Sequence, residues 1–136
     1  MRIVLDANVL VSAVVAKGAP HRVVNRWLEL EEFEVIICPA LIAELEDVLG
    51  RPKITKRIDP ELGERFLATL ERSAFVVQDP AVVEATTRDI DDDYLVAVAR
   101  GHGADYIVTG DKDLLEWLDQ RPPVLTPAQF EQLLEG

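Results

Sequence analysis

The chain has 136 residues, 49% of them hydrophobic, and 25 acids against 14 bases for a net charge of −11. That length suits one domain, residues 1–136, with a sizeable core, and the apolar fraction argues against disorder. The charge argues against broad adhesion to nucleic acid, unless the carboxylates gather where a divalent cation reverses the local field. The single cysteine, Cys38, rules out an intrachain disulfide framework and reads as a small buried hydrophobe. No run is long enough to span a membrane. The apolar N-terminus holds Asp6 and Asn8 and lacks the basic leader and cleavage site of a secretory signal. A reducing, cytoplasmic setting is expected.

In chain order, "RIVL" (2–5) predicts a short buried strand and "ANVLVSAVV" a helix, punctuated at "KGAP" by Gly18 and Pro20. "HRVVNRWLELEE" spaces Val23, Val24, Trp27 and Leu28 as a helix does. "FEVIICP" predicts a second strand stopped by Pro39, and "ALIAELEDVLG" a helix closed by Gly50. In "DPELGERFLATLERS", Asp59 suits the N-cap, Pro60 the first helical position and Glu61 the first turn. "AFVVQ" predicts a third strand, "PAVVEATTRD" a short helix, "DDDYLVAVARGHG" a helix and "ADYIVTGD" a fourth strand. "KDLLEWLD" predicts a helix, "PVLT" a fifth strand and "PAQFEQLLE" a terminal helix. Short, wholly apolar strands alternating with helices predict an α/β fold whose parallel sheet is covered on both faces. In such sheets ligands bind beyond the carboxyl ends of the strands.

Acids collect there. Asp6 follows the first strand and Asp111 the fourth; Asp91, Asp92 and Asp93 open the helix that feeds the fourth; Glu44 lies in the helix after the second. Singly, each can be a cap or a solvated side chain. Glu44 and Glu46 flank opposite edges of the Leu41–Ile42–Leu45–Val48–Leu49 stripe, and periodicity does not choose between them. Asp6 is the hardest to explain as a cap alone, because its flanks are apolar and water is scarce. Carboxylates held together repel, and a divalent cation offsets that; all-oxygen ligands suit Mg²⁺ or Mn²⁺. No Cys/His spacing suggests zinc, and the isolated His21 and His102 read as surface residues. Mg²⁺ held by carboxylates can generate a hydroxide-like nucleophile and stabilise charge on a phosphodiester.

The segments "IVLDANVLVSA", "PALIAELEDVL", "DDDYLVAVARGHGADYIVTGDKDLL" and "VLTPAQFEQLL" resemble, in order and over nearly the whole chain, those of PIN-domain proteins, in particular the VapC-like toxins of toxin–antitoxin pairs. The resemblance implies a Rossmann-like sheet of about five strands ordered 3-2-1-4-5 and a metal-dependent endoribonuclease. It assigns Asp6, Glu44, Asp92 and Asp111 to the acidic pocket, with Asp93 an alternative or additional metal ligand to Asp92 and Asp113 in support. Asn8 and Thr109 resemble the small polar residues that hydrogen-bond those acids. It further implies Mg²⁺ or Mn²⁺ as cofactor, an RNA substrate, a homodimer and a cognate antitoxin. The basic stretch "RPKITKR", with Arg51, Lys53, Lys56 and Arg57, is the candidate grip on RNA phosphates.

Three other readings compete. A haloacid dehalogenase-like phosphatase opens similarly, but Asn8 stands where its second acid belongs. A receiver-like domain would need a phospho-accepting Asp after the third strand, where only Asp79 is available. A catalytically inactive PIN-type binding module would not need the acid set. Trp27, Phe66 and Trp117 read as core-packing residues rather than as docking contacts.

Overall fold

The computed structural model describes residues 1–87 and 90–136, the side chains of residues 90 and 91 excepted. Its elements run β1 (Arg2–Leu5), α1 (Ala7–Val15), α2 (Ala19–Leu28), β2 (Glu34–Ile37), α3 (Pro39–Leu49), α4 (Pro52–Thr55), α5 (Pro60–Ser73), β3 (Phe75–Val76), α6 (Ile90–Gly101), β4 (Tyr106–Val108), α7 (Lys112–Leu115), β5 (Val124–Leu125) and α8 (Pro127–Glu135). The five strands form one parallel sheet in the order β3-β2-β1-β4-β5, as expected. Ile3 faces Val35 on one side and Tyr106 on the other, which makes β1 the central strand.

Successive residues of a strand point to opposite faces of the sheet. Ile3, Val4 and Leu5 are nevertheless all fully buried, as are Val35 and Ile36 of β2 and Ile107 and Val108 of β4. Both faces are therefore covered, which is why these strands read as continuous apolar runs. Each such side chain contributes about 1.5–3 kcal/mol on burial. Trp27 is buried, and Phe66 and Trp117 pack partly against the same core. Phe33 meets Phe130 edge-on, with centroids 5.0 Å apart, and so ties the loop before β2 to α8.

Chain order from β1 to β2 moves one way across the sheet, and β4 returns to the opposite side of β1. The carboxyl ends of β1 and β4 therefore flank the point where strand order reverses. α6 packs on both strands. A helix that crosses back between parallel strands runs against them, so the N-terminus of α6 is delivered to the same end.

Local chemistry follows the sequence at most ends. Asp59 accepts from the Glu61 N–H at 3.0 Å, with Pro60 opening α5. α2 starts earlier than expected, at Ala19, with Pro20 inside its first turn instead of preceding it. The helix expected over "KDLLEWLD" is the single turn Lys112–Leu115. Residues 80–87 are irregular where a helix over 80–89 was expected, residues 88 and 89 lying outside the described residues. Asp93 Oδ1 accepts the N–H groups of Thr86 and Thr87 at 3.3 and 2.8 Å and the Thr87 hydroxyl at 2.8 Å. A carboxylate has taken donors that a helix would have used, in a segment rich in β-branched residues.

Candidate metal centre

Asp6 follows β1 directly, and its own N–H continues the ladder by donating to the Val108 carbonyl at 3.0 Å. It is the N-cap of α1: Oδ1 accepts the Asn8 N–H at 3.3 Å. That occupies one carboxylate oxygen. The other, Oδ2, accepts the Thr109 hydroxyl at 2.7 Å. Thr109 is fully buried at the end of β4, and its Oγ1 accepts the Asp111 N–H at 2.9 Å. One hydroxyl thus joins the ends of two neighbouring strands. Asp111 in turn caps α7, with Oδ1 accepting the Asp113 N–H at 2.9 Å. Asp6 and Asp111 are thus both helix N-caps, each through Oδ1.

Asp92, buried near the start of α6, completes the group. One carboxylate oxygen from each of Asp6, Asp92 and Asp111 lies within 4.8 Å of the others. Burial pushes the Asp6 carboxyl above its ordinary 3.8; the Thr109 and Asn8 hydrogen bonds pull it down, and the charge of Asp111 pushes it up. Clustered buried carboxylates with all-oxygen donors fit a hard divalent cation, whose charge would relieve both the repulsion and the burial penalty.

The remaining sequence candidates fall elsewhere. Asp93 is buried, its Oδ1 accepts from residues 86 and 87, and it is not one of the group of three. The side chain of Asp91 lies outside the described residues. Glu44 is exposed on α3, also outside the group of three, and its Oε2 accepts the Tyr94 hydroxyl at 2.5 Å. Burial first, then that bond and the charge of Glu44, hold the Tyr94 hydroxyl above the usual phenol range. Glu46 lines a separate hollow with Gly63 and Leu67. Asn8 holds Asp6 through its backbone rather than its amide, and its exposed side chain lines a cleft instead. Asp113 contributes its backbone N–H to Asp111.

That cleft, of about 720 Å³, lies between α1, α2 and the loop after β4, bordered by Asn8, Ser12, Pro20, Gly110, Asp111 and Lys112. Lys112 brings a cation to its wall, whereas none of Arg51, Lys53, Lys56 and Arg57 lines it. Those four are exposed beyond the end of α3, and Arg51 pairs with Asp47 at 2.8 Å. His21 is an internal link rather than a surface residue: Nδ1–H donates to the Ala13 carbonyl at 2.9 Å and Nε2 meets the Asn25 amide at 3.0 Å. Burial pushes the Cys38 thiol up to about 11, the state of an inert thiol. Asp79 Oδ1 accepts the Ala40 N–H at 2.8 Å, which caps α3 and leaves no receiver-type role for it.

The sequence profile of the PIN domain matches residues 2–113. The chain belongs to the PIN-domain family. Residues beyond the matched span complete the same sheet, with Val124 and Leu125 of β5 pairing with β4. Among solved structures, this PIN domain is similar to PAE2754 from Pyrobaculum aerophilum (22% identity, TM-score 0.64, covering 99% of this chain and 88% of that one). It is also similar to VapBC2 from Rickettsia felis, bound to a DNA fragment from their promoter (13%, 0.60, 92% and 97%), and to FitAcB from Neisseria gonorrhoeae (20%, 0.55, 93% and 98%). At these identities the likeness establishes the fold. No curated protein matches this PIN domain in sequence. Membership of a nuclease family supersedes the phosphatase and receiver alternatives. No helix among the described residues is long and apolar enough to cross a membrane.

Proposed function

We propose that this PIN domain is a Mg²⁺- or Mn²⁺-dependent endoribonuclease and the toxin of a toxin–antitoxin pair. The observation that carries the nuclease chemistry is the convergence of Asp6, Asp92 and Asp111 within 4.8 Å at the point where strand order reverses. These three would hold the cation, with Glu44 as an outer carboxylate. When bound, the cation supplies Lewis acidity and lowers the pKa of water, so hydrolysis needs no Ser, Cys or His nucleophile. The chain's own contribution is preorganisation. Thr109 and the Asn8 N–H fix both oxygens of Asp6, and Thr109 and the Asp113 N–H fix Asp111. Little reorientation is then left for the reaction itself.

The cleft beside Asp111 supports a substrate path along α1, with Lys112 as a phosphate contact. The toxin reading is supported by the likeness to VapBC2 and FitAcB. It brings a cognate antitoxin, and a homodimer follows from the same resemblance. The deciding experiment incubates wild type and Asp6→Asn with single-stranded RNA, with and without Mg²⁺ or Mn²⁺, and maps the ends produced. Cation-dependent cleavage that Asp6→Asn abolishes is the expected result. Cation binding without cleavage across a broad RNA set would instead mark an inactive PIN-type binding module. Co-expression with the product of a neighbouring small reading frame tests the antitoxin: relief of growth arrest supports it.

A further inference from the structure

Tyr94 belongs to α6, the helix that supplies Asp92, and its hydroxyl crosses to α3 to reach Glu44 Oε2 at 2.5 Å. That is the short end of the range for an O–H donor on an ionised carboxylate, where such bonds are strongest. The tyrosine is half-buried and its ring packs against the core. Packing therefore sets the position of its hydroxyl, and the carboxylate comes to it. Glu44 is the opposite case: an exposed glutamate on a helix surface, with a side chain that otherwise samples many rotamers in water. The hydroxyl also lies within electrostatic reach of Asp6.

We propose that Tyr94 is a positioning residue: its hydroxyl holds Glu44 toward the Asp6–Asp92–Asp111 group, so that a divalent cation held by those acids gains Glu44 as a further carboxylate. The inference rests on the metal-dependent reading above. Groups that orient ligating carboxylates in this way typically change metal affinity about 10- to 100-fold when removed. A tie that served only to join α3 to α6 would alter stability and leave cation affinity alone.

The test is Mn²⁺ titration followed by loss of the free-ion EPR signal, which needs no catalysis. Tyr94→Phe keeps the ring and should raise the Mn²⁺ dissociation constant about 10-fold or more. Glu44→Gln should weaken binding as well, and adding Tyr94→Phe to Glu44→Gln should change nothing further. Wild-type affinity in Tyr94→Phe, or effects of the two substitutions that simply multiply, would overturn the inference while leaving the metal-dependent reading intact. A wild type that binds no Mn²⁺ would overturn both. A second measurement needs no Tyr94 variant. Mg²⁺ should shift the Tyr94 ring resonances in wild type and not in Glu44→Gln, and an absent shift in wild type counts against the proposal.

Discussion

Asp92 and Asp93 are neighbours in sequence, and the structure sends them to two different regions. Asp92 joins the acids at the ends of β1 and β4, where carboxylates of like charge are held close. Asp93 faces residues 86 and 87, where its Oδ1 accepts two N–H groups and a hydroxyl. Both are buried, so burial does not separate them. What differs is the carboxylates nearby: Asp92 groups with Asp6 and Asp111, and Asp93 does not. Donors offset the cost of burying a carboxylate, whereas neighbouring carboxylates add to it, a cost that a divalent cation would relieve.

The largest expected effect tests the acid region. Asp6→Asn, Asp92→Asn or Asp111→Asn should each lower RNA cleavage by roughly 10³-fold, since each removes one preorganised charge. Melting curves should show the variants folded; retained cleavage in any one would break the pocket assignment at that position. Next comes the Asp93 region. Asp93→Ala removes an acceptor shared by Thr86 and Thr87 and should lower stability by about 2–3 kcal/mol in urea unfolding. Its Mn²⁺ affinity should fall far less than that of Asp92→Ala. An Asp93→Ala variant that loses Mn²⁺ binding yet keeps wild-type stability would collapse the distinction between the two regions.

A smaller effect separates the cleft from the basic stretch. Lys112→Ala should raise KM for RNA several-fold and reduce the salt dependence of binding by about one counterion. Replacing Lys53, Lys56 and Arg57 together should do less per charge. The reverse ranking would move the RNA path to the end of α3.

The smallest effect is on pH dependence. Burial raises the carboxyl of Asp6 above 3.8, so the folded, metal-free chain binds that proton more readily than the unfolded one. Its contribution is most favourable below the unfolded value and is lost as pH rises through the raised folded value. Thermal melts in chelator should show wild type losing stability over that window relative to Asp6→Asn, and Mg²⁺ should reverse the difference at neutral pH. Parallel curves for the two proteins would mean that Asp6 is not penalised by its burial.

Much of this was legible in the residues themselves. Short apolar runs that do not alternate argued for strands covered on both faces, and their alternation with helical stretches argued for a parallel sheet. Acids following "RIVL" and "YIVTG" had to lie at its carboxyl end. Strand order and the family came from motif resemblance, and the structure and the profile match bear them out. Other features depend on three-dimensional neighbours that local pattern does not encode. At Thr86 and Thr87 the backbone donors go to a carboxylate on α6 instead of to a helix. Tyr94, an aromatic within an apolar helical stretch, reads as core until its hydroxyl is seen on Glu44. Lys112 is an ordinary surface lysine until the cleft forms around it. The sequence by itself determined which residues must be buried and which acids must sit at the strand ends, because hydrophobic periodicity is a local property. Only the tertiary structure decided which of two adjacent aspartates groups with Asp6 and Asp111 and which accepts from residues 86 and 87, because both depend on elements distant in the chain or on backbone outside the helix.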